Sequence, residues 1–167
     1  CLEFKMDAVA LTDHGAMFGA LEFYEKAKQA GIKPIIGCEF YVAENGRLTK
    51  NQNAGHNFHM VLLAQNRAGY QNLMKLATKA QLEGFYYKPR IDDELIARHQ
   101  DGLIALTACL HGEIPLKISC DELDGARKRA LELQDIFGDR LYFELQENGV
   151  EIQEKVNKGL IELAREL

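Results

Sequence analysis

Asp13, His14, Glu39, His59 and Cys109 are the residues of this 167-residue chain whose types and placement suit chemistry. Asp13-His14 comes directly after the apolar run Ala8 to Leu11, Glu39 after Ile35-Ile36 across Gly37-Cys38, and Cys109 after Leu103 to Leu106. Imidazole, carboxylate and thiolate are the groups that bind Zn²⁺ or a similar divalent ion, and a carboxylate such as Asp13 can orient a ligating imidazole from behind. Glu39 is the sharpest signal. It sits in the apolar stretch Cys38-Glu39-Phe40-Tyr41, where a carboxylate needs a partner or a metal. Taken singly, the others have plainer readings: Asp13-His14 suits a helix-start loop, and a solitary Cys109 suits a small buried hydrophobe.

The remaining histidines divide. His59 stands directly before Met60-Val61-Leu62-Leu63, at the start of a strand rather than past the end of one. His56 lies in a polar stretch and reads as solvated, His99 reads as a cation at a helix C-terminus, and His111 is undecided. Tyr86, Tyr87, Lys88 and Arg90 form an aromatic-basic cluster able to stack on and pair with a nucleic-acid strand, while Pro89 among them fits core packing beside a tight turn equally well. The run Arg127-Lys128-Arg129 reads as a solvated helix face.

These residues need a frame in which strand ends converge. Apolar strand-like runs alternate with helix-period segments along the chain, the signature of an α/β fold with parallel strands. Strands are expected at Ala8 to Leu11, Ile35 to Val42, His59 to Ala64, Leu103 to Leu106 and Leu141 to Leu145. Helical stripes run through Met17, Ala20, Leu21, Tyr24 and Ala27, through Tyr70, Leu73, Met74, Ala77 and Ala80, and through Leu123, Ala126, Ala130, Leu133 and Phe137. A last helix from about Val150 is expected to turn Ile152, Val156, Leu160, Leu163 and Leu167 to the core. Asp92 suits the N-cap of a short helix, Ser119 with Glu122 makes a capping-box pattern, and the polar stretch Glu44 to Asn57 suggests a mobile surface loop. In such folds, functional residues collect past the carboxyl ends of strands.

Composition narrows the function classes. With 25 acidic residues against 20 basic ones the net charge is -5, which excludes diffuse electrostatic attraction as the main means of meeting nucleic acid. No Walker or Rossmann glycine loop occurs. No apolar run reaches the roughly 18 to 20 residues of a membrane span, and the four cysteines show no CxxC pairing, so a cytoplasmic chain with reduced thiols is expected.

Several stretches go beyond generic spacing. Ala8-Val-Ala-Leu-Thr-Asp-His-Gly15, Gly31-Ile-Lys-Pro-Ile-Ile-Gly-Cys-Glu39, His59-Met-Val-Leu-Leu-Ala-Gln-Asn66, Gly69-Tyr-Gln-Asn-Leu73, and Gly102 to Cys109 continuing to Gly112-Glu-Ile-Pro115 resemble the polymerase-and-histidinol-phosphatase (PHP) domain of bacterial DNA polymerase III alpha subunits. The resemblance implies a single PHP-type domain over residues 1–167, lacking the palm, fingers and thumb of a polymerase. Its fold is expected to be a partial, distorted (β/α)7 barrel, truncated at both ends. It implies His14, Glu39, His59 and Cys109 as ligands of a multinuclear divalent-metal centre, with zinc or manganese as the ions and Asp13 as a catalytic neighbour. The family's opening His-x-His and closing Asn-Asp-x-His motifs are expected outside residues 1–167. The implied chemistry is metal-assisted phosphoester hydrolysis, which in the family takes the form of 3'-5' exonuclease activity, here expected to serve proofreading, or of pyrophosphate hydrolysis. The implied partners are DNA, through a parent DNA-directed DNA polymerase, and other holoenzyme subunits such as the proofreading exonuclease, with Tyr87, Lys88 and Arg90 as nucleic-acid contacts. A scaffold that docks the exonuclease and a free-standing phosphatase are the competing readings.

Overall fold

A computed structural model describes all residues, Cys1–Leu167. Six strands form one sheet: β1 (Ala8–Leu11), β2 (Lys33–Ala43), β3 (Asn57–Ala64), β4 (Arg90–Ile91), β5 (Leu103–Leu106) and β6 (Leu141–Tyr142). Six helices accompany them: α1 (Ala20–Gln29), α2 (Arg67–Leu82), α3 (Asp93–His99), α4 (Glu113–Ser119), α5 (Leu123–Phe137) and α6 (Glu151–Glu166). The sheet runs β1-β2-β3-β5-β6, with β4 added on β2. It is open rather than closed into a barrel.

The expected all-parallel arrangement fails at one strand. β1 with β2, β2 with β4, and β5 with β6 are parallel, but β3 runs against both β2 and β5. No helix lies between Ala43 and Asn57. Parallel neighbours need a crossover, usually helical, whereas a chain that simply turns back pairs antiparallel.

Alternation along the strands separates two faces. Cys38, Phe40 and Val42 of β2, Phe58, Met60 and Leu62 of β3, and Leu103 and Ala105 of β5 are buried in the main core. They pack with Leu73, Leu76 and Ala80 of α2, Leu95 and Ile96 of α3, and Ala130, Leu133 and Phe137 of α5. The residues between them, Glu39, His59, Val61, Leu63 and Leu106, face a cavity of about 450 Å³ on the other side. The strand pattern therefore assigns the chemistry-bearing residues to one face and the packing residues to the other.

Local details differ from expectation. Ser119 ends α4, and its hydroxyl donates back to the Leu116 carbonyl instead of capping α5, which has no side-chain cap. Asp92 does cap α3, accepting from the Leu95 amide at 3.1 Å. In α6, Gln153, Val156, Leu160 and Leu163 face inward, while Ile152 and, just past the helix, Leu167 are exposed. Leu21 and Tyr24 of α1 and Tyr70 and Met74 of α2 are likewise on the surface. The segment from Glu44 to His56 is tied down rather than loose. Arg47 is buried there and bonds the Asp92 carboxylate (2.9 and 3.0 Å), Glu83 (3.1 Å) and Glu94 (3.0 Å). Those carboxylates outweigh burial and raise the Arg47 pKa. His99 occupies the last turn of α3 as expected, but burial, helped by Lys75, Lys79 and Arg98, lowers its pKa. The cation expected at that helix end is therefore disfavoured.

Candidate metal centre

The loop after β1 returns to lie beside β2. Asp13 accepts the Glu39 amide at 3.0 Å through its backbone carbonyl, and the Gly15 amide donates to the Glu39 carbonyl at 2.8 Å, so His14 and Glu39 are paired as if the strand continued. Gly15 has φ +63 there, and a Cβ on it would lie 2.5 Å from Pro89 Cγ. Only glycine meets both conditions at no cost. On the next strand, β2 and β3 pair Glu39 with Val61 and Tyr41 with His59, which leaves Glu39 and His59 as diagonal neighbours on one face. After β5, Ala108 takes φ +60, a left-handed conformation that side chains rarely adopt, and Cys109 then turns back toward His59.

Glu39 joins two rings. Its Oε2 lies 3.2 Å from His14 Nδ1 and its Oε1 lies 2.5 Å from His59 Nδ1. Cys109 Sγ stands 3.5 Å from the same His59 Nδ1. Two overlapping groups result, each with ligand atoms within 4.8 Å of one another: His14, Glu39 and His59, and His59, Cys109 and His111. Burial lowers the His59 pKa, outweighing the attraction of Glu39, so the ring favours the neutral form that a cation needs. Tyr41 packs edge-on against His59 with ring centres 5.2 Å apart.

The donor set suits a divalent ion. Bonds of about 2.0 to 2.3 Å in tetrahedral geometry put neighbouring donors roughly 3.3 to 3.7 Å apart. The His14–Glu39 separation of 3.2 Å and the His59–Cys109 separation of 3.5 Å are close to that range. The 2.5 Å His59–Glu39 contact is a direct hydrogen bond and has to lengthen for an ion to take both atoms.

Two further candidates from the sequence, Asp13 and Arg90, lie outside the donor groups. The Asp13 carboxylate is outside both donor groups and lies toward Gly19, at the start of α1. Its observed service to the site is through its backbone carbonyl. Arg90 is fully buried, and its guanidinium donates to the carbonyls of Gly84 (3.0 Å), Arg47 (2.9 Å) and Thr49 (3.0 Å), which removes it from the surface contacts. Three backbone carbonyls around the two-residue strand β4 have absorbed it. Tyr87 is 81% exposed and Lys88 Nζ stands 5.3 Å from the Tyr41 ring centre, beside the site.

Sequence reasoning missed Glu144 and Gln146, which line the same cavity. Gln146 Nε2 donates to one Glu144 oxygen at 2.7 Å, and the other Glu144 oxygen is buried without a partner. The strand-end rule, applied to the segment from Leu141, would have found them. His111, undecided from sequence, lies in the second donor group.

An α/β chain with imidazole, carboxylate and thiol donors gathered on one sheet face defines a class of proteins equipped to hold divalent cations. The chain belongs to the PHP domain family, whose model matches residues 1–148. It is similar to DNA polymerase III subunit alpha of Thermus aquaticus, 52% identical over 161 residues, covering 95% of this chain and 13% of the relative. It is also similar to the proteins of that name from Borreliella burgdorferi, 44% identical with 98% of this chain and 14% of the relative covered, and from Aquifex aeolicus, 45% identical with 98% and 15% covered. The chain thus spans only about a seventh of the length of these curated relatives.

Proposed function

We propose that this chain is the PHP domain of a bacterial replicative DNA polymerase alpha subunit and that its site is a metal-dependent phosphoesterase centre serving 3'-5' exonuclease proofreading. The observation that carries the proposal is Glu39, whose two carboxylate oxygens reach His14 and His59 while Cys109 approaches His59 from the neighbouring strand end. His14, Glu39, His59 and Cys109 are the metal ligands in this reading, with zinc or manganese as the ion. When bound, divalent cations neutralise phosphate oxygens and lower the pKa of a bound water.

The chain's own residues prepare that site. The Asp13 carbonyl and Gly15 amide hold Glu39 in place, burial lowers the His59 pKa, and Tyr41 buttresses its ring. Tyr87 and Lys88 stand where an incoming strand would stack and pair. An acidic chain is no obstacle to this chemistry, because metal ions rather than a basic surface meet the phosphates. In this reading the complete domain closes the open sheet into a distorted barrel, residues 1–167 form one PHP-type unit, and the protein is cytoplasmic. No helix here is long and apolar enough to cross a membrane.

The test combines metal content with hydrolysis of a 3'-mispaired primer. Zn²⁺ or Mn²⁺ uptake and release of single nucleotides are the expected results, both lost in the His14→Ala, Glu39→Ala double variant. Uptake unchanged by that double substitution overturns the assignment. A second reading has one observation in its favour: Phe18, Leu21, Met74 and Leu82 expose apolar surface on and beside α1 and α2. That face suits docking of a proofreading exonuclease subunit. It predicts partner binding that survives loss of His14 and Glu39.

A further inference from the structure

We propose that His111 is an additional protein donor of the centre, closing a Cys109-x-His111 chelate that, with His59, forms a zinc-selective subsite beside the harder His14–Glu39 pair. The inference rests on the metal-centre reading above and adds a residue and an ion preference to it.

His111 sits in the short connection between β5 and α4, and its backbone is fixed from two sides. Its carbonyl accepts the His59 amide at 2.9 Å, and its own amide points at Cys109 Sγ, 3.5 Å away. The ring stacks on His59 with centres 5.2 Å apart and planes 29° apart, and its Nδ1 lies 3.8 Å from Cys109 Sγ. Packing does not explain this placement, because the residue is exposed. Ion pairing does not explain it either, since no carboxylate lies within 4.0 Å of a His111 ring nitrogen. What the ring faces is a thiol and a second imidazole.

The chemistry of the two donor sets differs. His59, Cys109 and His111 offer two nitrogens and a sulfur, which favour zinc over harder ions, whereas His14 and Glu39 offer a nitrogen and carboxylate oxygens, which manganese accepts readily. The His111 amide directed at Cys109 Sγ holds the sulfur within the turn that carries the second imidazole. His59 Nδ1 is common to both sets, so filling the sulfur-containing one takes His59 from Glu39 and leaves Glu39 facing His14.

The test titrates the full chain with Zn²⁺, Co²⁺ and Mn²⁺, reading cobalt absorption and manganese paramagnetic resonance, with the fold of each variant checked by circular dichroism. His111→Ala is expected to weaken Zn²⁺ binding at least about 10-fold. It should also shift the visible cobalt bands while leaving Mn²⁺ uptake unchanged. The near-ultraviolet thiolate-to-cobalt band should disappear in Cys109→Ser, and Glu39→Ala should weaken Mn²⁺ more than Zn²⁺. Unaltered Zn²⁺ affinity and cobalt spectrum in folded His111→Ala overturn the role of His111 and leave the wider metal-centre reading intact. Failure of the unsubstituted chain to take up any of the three ions overturns both.

Discussion

Replacing Arg90 separates a structural role from a nucleic-acid role within one short segment. Its guanidinium donates to the Gly84, Arg47 and Thr49 carbonyls at 2.9 to 3.0 Å, binding the end of α2 and the Glu44 to His56 segment to β4. Hydrogen bonds from a charged donor contribute about 1.5 to 3 kcal/mol each, so three of them total roughly 4 to 9 kcal/mol. Part of that is offset because the variant no longer buries a charge, leaving a net loss of at least about 3 kcal/mol for Arg90→Ala. At about 2 to 4 °C per kcal/mol for a domain of this size, Tm falls by roughly 6 to 12 °C. Arg90→Lys recovers little, since an ammonium cannot reproduce the planar fork. Lys88→Ala, at an exposed position, changes stability by less than about 0.5 kcal/mol yet weakens binding of a single-stranded oligonucleotide. Thermal unfolding by circular dichroism and fluorescence anisotropy with a labelled oligonucleotide measure the two effects. An Arg90→Ala protein with unchanged Tm and an oligonucleotide defect like that of Lys88→Ala would falsify the structural assignment.

The geometry sets three further outcomes. Gly69→Ala places a Cβ 1.8 Å from the Gly102 carbonyl oxygen, a backbone atom that cannot step aside, so the cost reaches about 3 kcal/mol or more in urea unfolding; a loss below about 1 kcal/mol contradicts this packing. Thiol titration at about pH 8 should label exposed Cys1 and Cys120, label Cys109 only without Zn²⁺, and miss Cys38, whose pKa burial pushes up to about 12; rapid native labelling of Cys38 contradicts its position. Burial lowers the His59 pKa in the folded state, so the folded chain resists protonation there, and this residue's share of stability declines as pH falls below about 6.5 and levels off below the folded pKa. Urea midpoints at about pH 7.5 and 5.5 should therefore differ less in His59→Gln than in the unsubstituted chain.

Most elements were legible because their periodicity is strong. The runs Ala8 to Leu11 and Leu103 to Leu106 are strands with the bounds read from sequence, and of the stripe Leu123, Ala126, Ala130, Leu133 and Phe137 all but the exposed Leu123 are buried. The misreadings have physical causes. Leu21, Tyr24, Tyr70 and Met74 satisfy a helical stripe but lie on the surface, because periodicity identifies an apolar face without saying what covers it. Ser119-x-x-Glu122 satisfies a capping box, yet the chain is already helical from Glu113. Glu44 to His56 has loop composition, but Arg47 recruits three acidic partners from segments distant in sequence, and no local pattern carries that information.

The site shows the same division between local and long-range information. His14 and Cys109 satisfy the rule that chemistry gathers just past a strand, Glu39 lies within β2 on its cavity face, and His59 fits the rule poorly because it lies near the start of its strand. The antiparallel course of β3 removes the difficulty. The start of a reversed strand lies beside the carboxyl ends of its neighbours, so Tyr41 of β2 faces His59 of β3 and Leu106 of β5 faces Val61. A parallel β3 would carry His59 to the opposite end of the sheet, away from Glu39 and Cys109. The helix-free Glu44 to His56 connection, which returns the chain antiparallel to β2, is therefore what brings the second imidazole to the other donors. Asp13 marks the limit of reasoning from residue type: its carboxylate suggests chemistry, while the contact that positions Glu39 comes from its carbonyl, a group every residue possesses.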